Sequence, residues 1–337
     1  MLALPFTPIH NTKRDSSMTI ARLLLRTFAT FASAVLLATA AHAEAPQVKT
    51  QAPGWYRLMI GDIEVTALLD GVINLEPHKL LTNTQPKDVS RLLAKSFLSD
   101  TVPTSVNAYL VNTGGKLVLI DAGAATLFGP GLDQLHANLK ASGYQPEQVD
   151  VVVITHMHGD HIGGLIQGGK IAFPNATVMA DQHDADFWLS AENLAKAPEQ
   201  MKMFFQGAQM TLNPYVAAGK FKPFEGNTEI VPGVKAIATH GHTPGHAVYS
   251  VESKGQKLVL WGDLMHVAAV QFPKPEVTIQ FDSDSKAAMA QRKKAFADAA
   301  KGGYWVASAH LPFPGIGHLR ADGKGYVFVP VHYTPVK

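Results

Sequence analysis

The chain contains no cysteine in its 337 residues. That excludes disulfides, thiol nucleophiles and thiolate-held zinc, so any metal centre has to be built from imidazoles and carboxylates. The lack is compatible with an oxidising compartment without requiring one. Long apolar runs are also missing: the most apolar stretch, residues 28–40, falls short of the ~20 residues that cross a bilayer. Nor is there a surplus of one sign of charge. The formal net charge is +2, and Lys13, Arg14, Arg22 and Arg26, set against Asp15 alone, place it in the first 43 residues. Nothing in this balance favours a nucleic-acid partner. Beyond residue 53 there is no internal repeat, low-complexity block or long linker, and length alone does not choose between one large domain and two small ones.

Residues 1–43 read as a leader. A basic start at Met18 to Arg26 precedes the apolar, small-residue segment, and Ala41-His42-Ala43 fits the A-x-A cleavage pattern, so Met18 is a second candidate start. Cleavage after Ala43 predicts a periplasmic or secreted protein with no stable membrane anchor, and leaves 44–337 as one domain.

Within that domain, Trp55 to Leu69 alternates and breaks at Gly61-Asp62, a hairpin signal. Glu76 to Pro86 reads as a loop, and Asp88 to Phe97 has helical apolar spacing. Ser105 to Val111 and Lys116 to Ile120 are strands around a Gly-containing turn. Leu132 to Ala141 is a helix, Val151 to Ile154 a buried strand, Ala176 to Ala180 another, and Asp181 to Phe205 is helical in composition. Val234 to Thr239, Ala247 to Val251 and Lys257 to Trp261 are strands; Ala287 to Ala300 is an Ala-rich helix; Tyr304 to Ala309 and Tyr326 to Val331 close the chain. Two groups of strands, each followed by helices, predict two packed sheets with helices outside.

The stretch that carries chemistry is Thr155-His156-Met157-His158-Gly159-Asp160-His161, placed where the Val151 strand ends. Imidazoles that share an ion must converge to ~2.0–2.1 Å from one point. Alternate residues leaving a strand end do this, while the next turn faces a second ion. A His-rich surface loop is the competing reading, and the strand-terminal H-x-H-x-D-H spacing argues against it. The stretch is the nucleus of a two-metal hydrolytic site whose remaining ligands come from elsewhere.

This motif resembles that of the metallo-β-lactamase-fold hydrolases. The resemblance implies an α+β chain folded as an αββα four-layer sandwich with metals where the two sheets meet. It runs through nearly all of the mature chain: Ile120-Asp121-Ala122-Gly123 before the cluster, His242 in Thr239-His240-Gly241-His242-Thr243-Pro244-Gly245-His246, Asp263 in Leu260-Trp261-Gly262-Asp263, and His310 after Val306-Ala307-Ser308-Ala309. By that likeness His156, His158 and His242 hold one metal, Asp160, His161 and His310 the other, and Asp263 bridges them. Asp121 is then an orienting residue, and His240 and His246 are supporting or structural. The remaining single histidines (His78, His136, His183, His318, His332) read as surface or packing residues. Two divalent ions are implied, with zinc the default and manganese, cobalt or iron admitted by the carboxylate-rich second position.

Departures narrow the reaction. The position occupied by His158 would hold Glu in the oxygen-reducing diiron branch, and cysteine-dependent lactamases are excluded. The chain is most similar to exported methyl parathion hydrolases and related lactonases, through Asp121 to Phe128, Trp188, Gln280 to Ala287 and Ala309 to His318. Phe128, Trp188, Phe204, Phe205, Ile279 and Phe281 are candidates for an apolar pocket, with core packing as the alternative for each aromatic. His266, three residues after Asp263, stands where homoserine-lactone lactonases carry a hydrogen-bonding Tyr and parathion hydrolases an apolar residue.

The expectation is therefore a metal-dependent ester hydrolase that opens aryl or N-acyl homoserine lactones with a metal-bridging hydroxide, Asp160 relaying a proton and His266 bonding the substrate. A phosphotriesterase shares every ligand and is one alternative; a non-catalytic periplasmic metal- or ligand-binding protein is the other. The partner is a small-molecule ester or lactone, and the Ala-rich helix admits a homodimer.

Overall fold

The computed structural model describes residues 45–129 and 131–336. The leader and its cleavage site lie outside the described residues. Ala52–Lys337 forms one compact unit; of the other, Met1–Gln51, the described residues carry no helix or strand. Among the described residues no helix is long and apolar enough to cross a membrane.

Six strands make the first sheet, in spatial order β1 (Trp55–Ile60), β2 (Ile63–Leu75), β3 (Val102–Asn112), β4 (Leu117–Ile120), β5 (Val151–Val153) and β6 (Thr177–Met179). Seven make the second: β7 (Thr228–Val231), β8 (Val234–Ala238), β9 (Ala247–Ser253), β10 (Gln256–Leu260), β11 (Trp305–Ala307), β12 (Ile316–Asp322) and β13 (Gly325–Pro330). Most neighbours are antiparallel. The exceptions matter for the site: β4, β5 and β6 run parallel to one another, as do β10 and β11.

The core follows from the two-residue period of a strand, which sends successive side chains to opposite faces. Val118 and Ile120 of β4 point between the sheets and join Val65, Tyr109, Val111 and Val153 against Ala236, Tyr249, Val251, Leu258 and Leu260. Leu117 and Leu119 point the other way, onto α2 (Leu135–Ala141), α4 (Gln182–Trp188) and α6 (Glu199–Ala217). Val248, Val259 and Val306 form the outer face of the second sheet and pack on Phe296 and Ala299 of α8 (Ser285–Gly302). Because both faces are covered, β4 and β5 read as unbroken apolar runs rather than alternating ones. The result is the expected αββα sandwich. A flanking cluster joins Val89, Leu92 and Leu93 of α1 (Pro86–Lys95) to Val270, Val277 and Ile279.

Several segments differ from the sequence reading. Asp181 to Phe205 is not one helix: Ser190 caps α5 (Ala191–Lys196) by accepting from Asn193 N–H, and Pro198 opens α6, which runs on to Ala217. Pro has no N–H to give the preceding turn, so the break falls there. Glu76 to Pro86 is not only a loop; a single helical turn, Pro77–Leu80, leads into Leu81–Thr82, which pairs with Thr278–Ile279. The edge strand β7, and β12 within the second sheet, have no counterpart in the sequence reading.

The segment 264–279 is tied to α8 by Arg292, which is buried and donates to the carbonyls of Pro275 (3.0 Å), Leu264 (3.1 Å) and Val277 (2.7 Å). Hydrogen bonds from a charged donor are worth ~1.5–3 kcal/mol each and are not fully additive. Arg292→Leu is therefore expected to lower folding stability by about 3 kcal/mol or more, measured as a fall in the urea midpoint at unchanged m-value.

Candidate metal centre

Parallel neighbours end together. β4 and β5 place Asp121 and His156 at one edge of the first sheet; β10 and β11 place Asp263 and His310 at one edge of the second. After β5 the chain makes the single turn α3 (Gly159–Ile162), which carries Asp160 and His161. Two glycines follow because this turn lies against the Asp121 loop: a Cβ at Gly163 would sit 2.0 Å from Ala124 O, and one at Gly164 2.1 Å from Ala122 O. Gly262 has φ +53° beside Thr155 and His246, a backbone that L side chains rarely adopt, and it aims Asp263 inward.

All seven predicted ligands converge. His156 Nε2 is 3.0 Å from His158 Nδ1, which is 3.2 Å from His242 Nε2; Asp263 Oδ2 lies 3.6 Å from His156 Nε2 and 3.4 Å from His242 Nε2. Donors at ~2.0–2.1 Å from a tetrahedral ion stand roughly 3.3–3.4 Å apart, so these spacings suit such an ion. The other carboxylate oxygen, Asp263 Oδ1, is 3.3 Å from His161 Nε2 and 3.2 Å from His310 Nε2, and each of these is 3.4–3.5 Å from Asp160 Oδ2. Asp263 thus reaches both donor sets, Oδ1 facing the second and Oδ2 the first, with Oδ2 also 3.2 Å from His310 Nε2. His161 Nε2 and Asp263 Oδ1 are buried without hydrogen-bond partners. Lone pairs converging in this way repel one another unless a proton or a metal ion lies between them, and the donor set fits divalent metal.

The far sides of the imidazoles are held. Asp121 Oδ2 takes His161 Nδ1 at 2.8 Å, Asp282 Oδ1 takes His242 Nδ1 at 2.9 Å, and the Ser105 carbonyl accepts from His310 Nδ1 at 3.0 Å. Each of these bonds fixes the tautomer that leaves Nε2 free. Burial pushes His156 well below the ordinary imidazole range and His158 down to about 3. His242 is also buried, yet hydrogen bonds to Asp263 and Asp282 raise it to about 9. His246 accepts from Asp263 N–H through Nε2 at 3.1 Å, so its lone pair is committed to the backbone. Asp184, wholly buried, accepts from Met157 N–H and Gly245 N–H and clamps the His156–His158 loop to the His242 loop.

Beside the cluster opens a cavity of about 460 Å³. His158, Asp160, Asp263 and His310 reach it, with His266, Phe128, Phe204 and Phe281 on its walls. Trp188, Phe205 and Ile279, read from sequence as pocket residues, are not on the lining: Trp188 and Phe205 are packed in the core of the first sheet and Ile279 in the flanking cluster. The sequence reading missed Val72 to Leu75 and Met201, which line the cavity, and the supporting carboxylates Asp184 and Asp282. Asp282 stood inside a segment noted for its family likeness; Asp184 and β2 gave no signal.

The metallo-beta-lactamase superfamily profile matches residues 101–328, and the chain belongs to that superfamily. A solved structure described as the hydrolase AbOPH of the beta-lactamase superfamily is 42% identical, covers 85% of this chain and 100% of its own, and superposes with a TM-score of 0.80. AidC, a dizinc quorum-quenching lactonase solved with the product N-hexanoyl-L-homoserine, is 27% identical over 84% of this chain and 99% of its own, with a TM-score of 0.78. The N-acyl homoserine lactonase AiiA of Bacillus thuringiensis subsp. kurstaki is 28% identical over 128 residues, 38% of this chain and 43% of that protein. The chain spans less than half the length of the curated lactonases it matches.

Loss of an outer carboxylate that orients a ligating imidazole typically costs 10–100-fold in metal affinity. Asp121→Ala, which frees His161 Nδ1 and Thr155 N–H, is expected to weaken retention of one metal equivalent by about that factor, read by elemental analysis after dialysis against a graded chelator.

Proposed function

We propose that the protein is a dinuclear metal-dependent hydrolase that opens lactones of the aryl or N-acyl homoserine type. The observation that carries this reading is Asp263, whose two oxygens face two separate donor sets at the floor of an apolar cavity with His266 on its wall. The similarity to a dizinc lactonase across most of the chain supports it. Two divalent ions held by these residues, zinc matching the donors best, would supply Lewis acidity at the carbonyl and an activated water.

The chain's own residues do the rest. Phe128, Phe204 and Phe281 take the acyl or aryl part and keep water from it. His266 has a buried ring stacked on His310 at 5.1 Å between centroids. Its backbone N–H is held by Gln271 Oε1 at 2.8 Å. The ring Nε2 comes within 3.0 Å of Asp263 Oδ2 but off the line a hydrogen bond needs, so neither ring nitrogen has a partner. Burial outweighs the nearby Asp263 and lowers the pKa, which leaves the ring neutral at pH 7 with one N–H to donate. That donor serves the substrate's carbonyl or ring oxygen. Asp160, at the cavity surface, is placed to pass a proton to the departing oxygen. The leader at residues 18–43 supports a periplasmic or secreted setting.

Purified, metal-loaded protein assayed against an aryl lactone, an N-acyl homoserine lactone and a phosphotriester is expected to give its highest kcat/KM on a lactone; faster turnover of the phosphotriester would sink this reading. His266→Ala is expected to lower lactone kcat on the order of 10²-fold, the scale of one lost oxyanion donor, with both metals retained. Unchanged kcat would remove its assigned role.

A further inference from the structure

A second cluster of donors lies outside the site described above. Asp181 caps α4: its Oδ1 accepts from His183 N–H at 2.9 Å and lies 2.8 Å from His183 Nδ1, while Oδ2 lies 3.2 Å from His240 Nε2. One donor atom from each of the three residues falls within 4.8 Å of the other two. The Asp181 side chain is completely buried, whereas the His183 and His240 side chains are 60% and 35% exposed. The cluster therefore has a buried anionic floor and two imidazoles open to water.

Charge supplies an independent reason for a ligand. Asp184, one turn along α4, is also fully buried, and its bonds go to the backbone N–H groups of Met157 and Gly245. Among the described residues, no lysine or arginine pairs with either carboxylate; the ion-pair partners of Asp181 are His183 and His240 alone. Buried carboxylates without a fixed counter-charge are costly. A cation between Asp181 and the two imidazoles would offset that cost.

We propose that Asp181, His183 and His240 form a third metal site, for a borderline divalent ion of the zinc class, with water completing the coordination. Two imidazoles and one carboxylate suit zinc, cobalt or nickel rather than calcium or magnesium, which take oxygen ligands. Such an ion ties the N-terminus of α4 to the segment 239–246. That segment also carries His242, two residues from His240, and Asp184 grips it through Gly245. The third ion is thus a brace on a loop of the main centre, not a participant in its chemistry.

The test is a count that does not depend on which ester is cleaved. Protein loaded to saturation at the main centre is titrated with Zn²⁺ by calorimetry, alongside His183→Asn and His240→Asn. His183 is exposed and His240 half-buried, and neither substitution removes the Asp181 cap, which rests on the backbone N–H of residue 183. The wild type is expected to bind one equivalent more than either variant, and the variants to keep the metal of the main centre. Equal stoichiometry in all three proteins overturns the proposal. A second measurement stands apart from the variants: on Zn²⁺ addition to the loaded wild type, the ring resonances of His183 and His240 are expected to shift together to saturation at one equivalent. Rings that do not move overturn it as well.

Discussion

The structure depends on one buried carboxylate. Asp263 lies between two groups of imidazoles, with Oδ2 towards His156 and His242 and Oδ1 towards His161 and His310. Most of the surrounding design keeps this convergence of lone pairs in place. Burial, joined by the neighbouring imidazoles, drives His156 and His158 towards the neutral state that ligation requires. Asp121, Asp282 and a backbone carbonyl occupy the outer nitrogens of three further rings. Donors facing each other at 3.0–3.6 Å need a proton or a cation between them, so binding of a metal here would be linked to local folding and to proton release.

Topology explains why residues 121, 156, 263 and 310, spread along most of the chain, meet. Each follows a strand that runs parallel to the neighbour whose end it shares. An antiparallel pair would send the two chain ends to opposite edges. The parallel pairs β4–β5 and β10–β11, set in largely antiparallel sheets, are therefore what bring the ends of four strands to one place.

This accounts for what could be read from sequence. Ligands that directly follow an apolar strand are fixed by covalent spacing, which made His156 to His161 legible, whereas Asp263 and His310, at other strand ends, came from the family resemblance. Of the supporting carboxylates, Asp121 was legible, whereas Asp282 and Asp184 were not, because Asp282 reaches His242 across 40 residues and Asp184 reaches Met157 across 27. The pocket failed for a different reason. Phe204 and Phe205 are adjacent on α6, and successive residues of a helix point about 100° apart. One lines the cavity and the other enters the core with Ala208 and Leu212. Aromatic composition marked the helix correctly without choosing its face, and Met201, one turn before Phe204, carried no aromatic signal at all.

Metal cluster and pocket walls consequently come from different parts of the chain. The donors sit on strand ends that the sandwich fixes, whereas the walls come from the end of β2, from α6 and from residues 280–281. Those segments contribute none of the seven donors, so walls and donor cluster are separable parts of the chain. In this chain the rim is apolar and partly open, with Val72 44% and Phe128 40% exposed. Each 100 Å² of apolar surface that a ligand covers there contributes about 2.5 kcal/mol, nearly two orders of magnitude in affinity. A substrate with an acyl chain or aromatic ring gains that contribution, whereas a small bare ester that reaches only the donors does not. Discrimination among candidate substrates therefore belongs to the walls, whereas the donor cluster bears on the reaction itself.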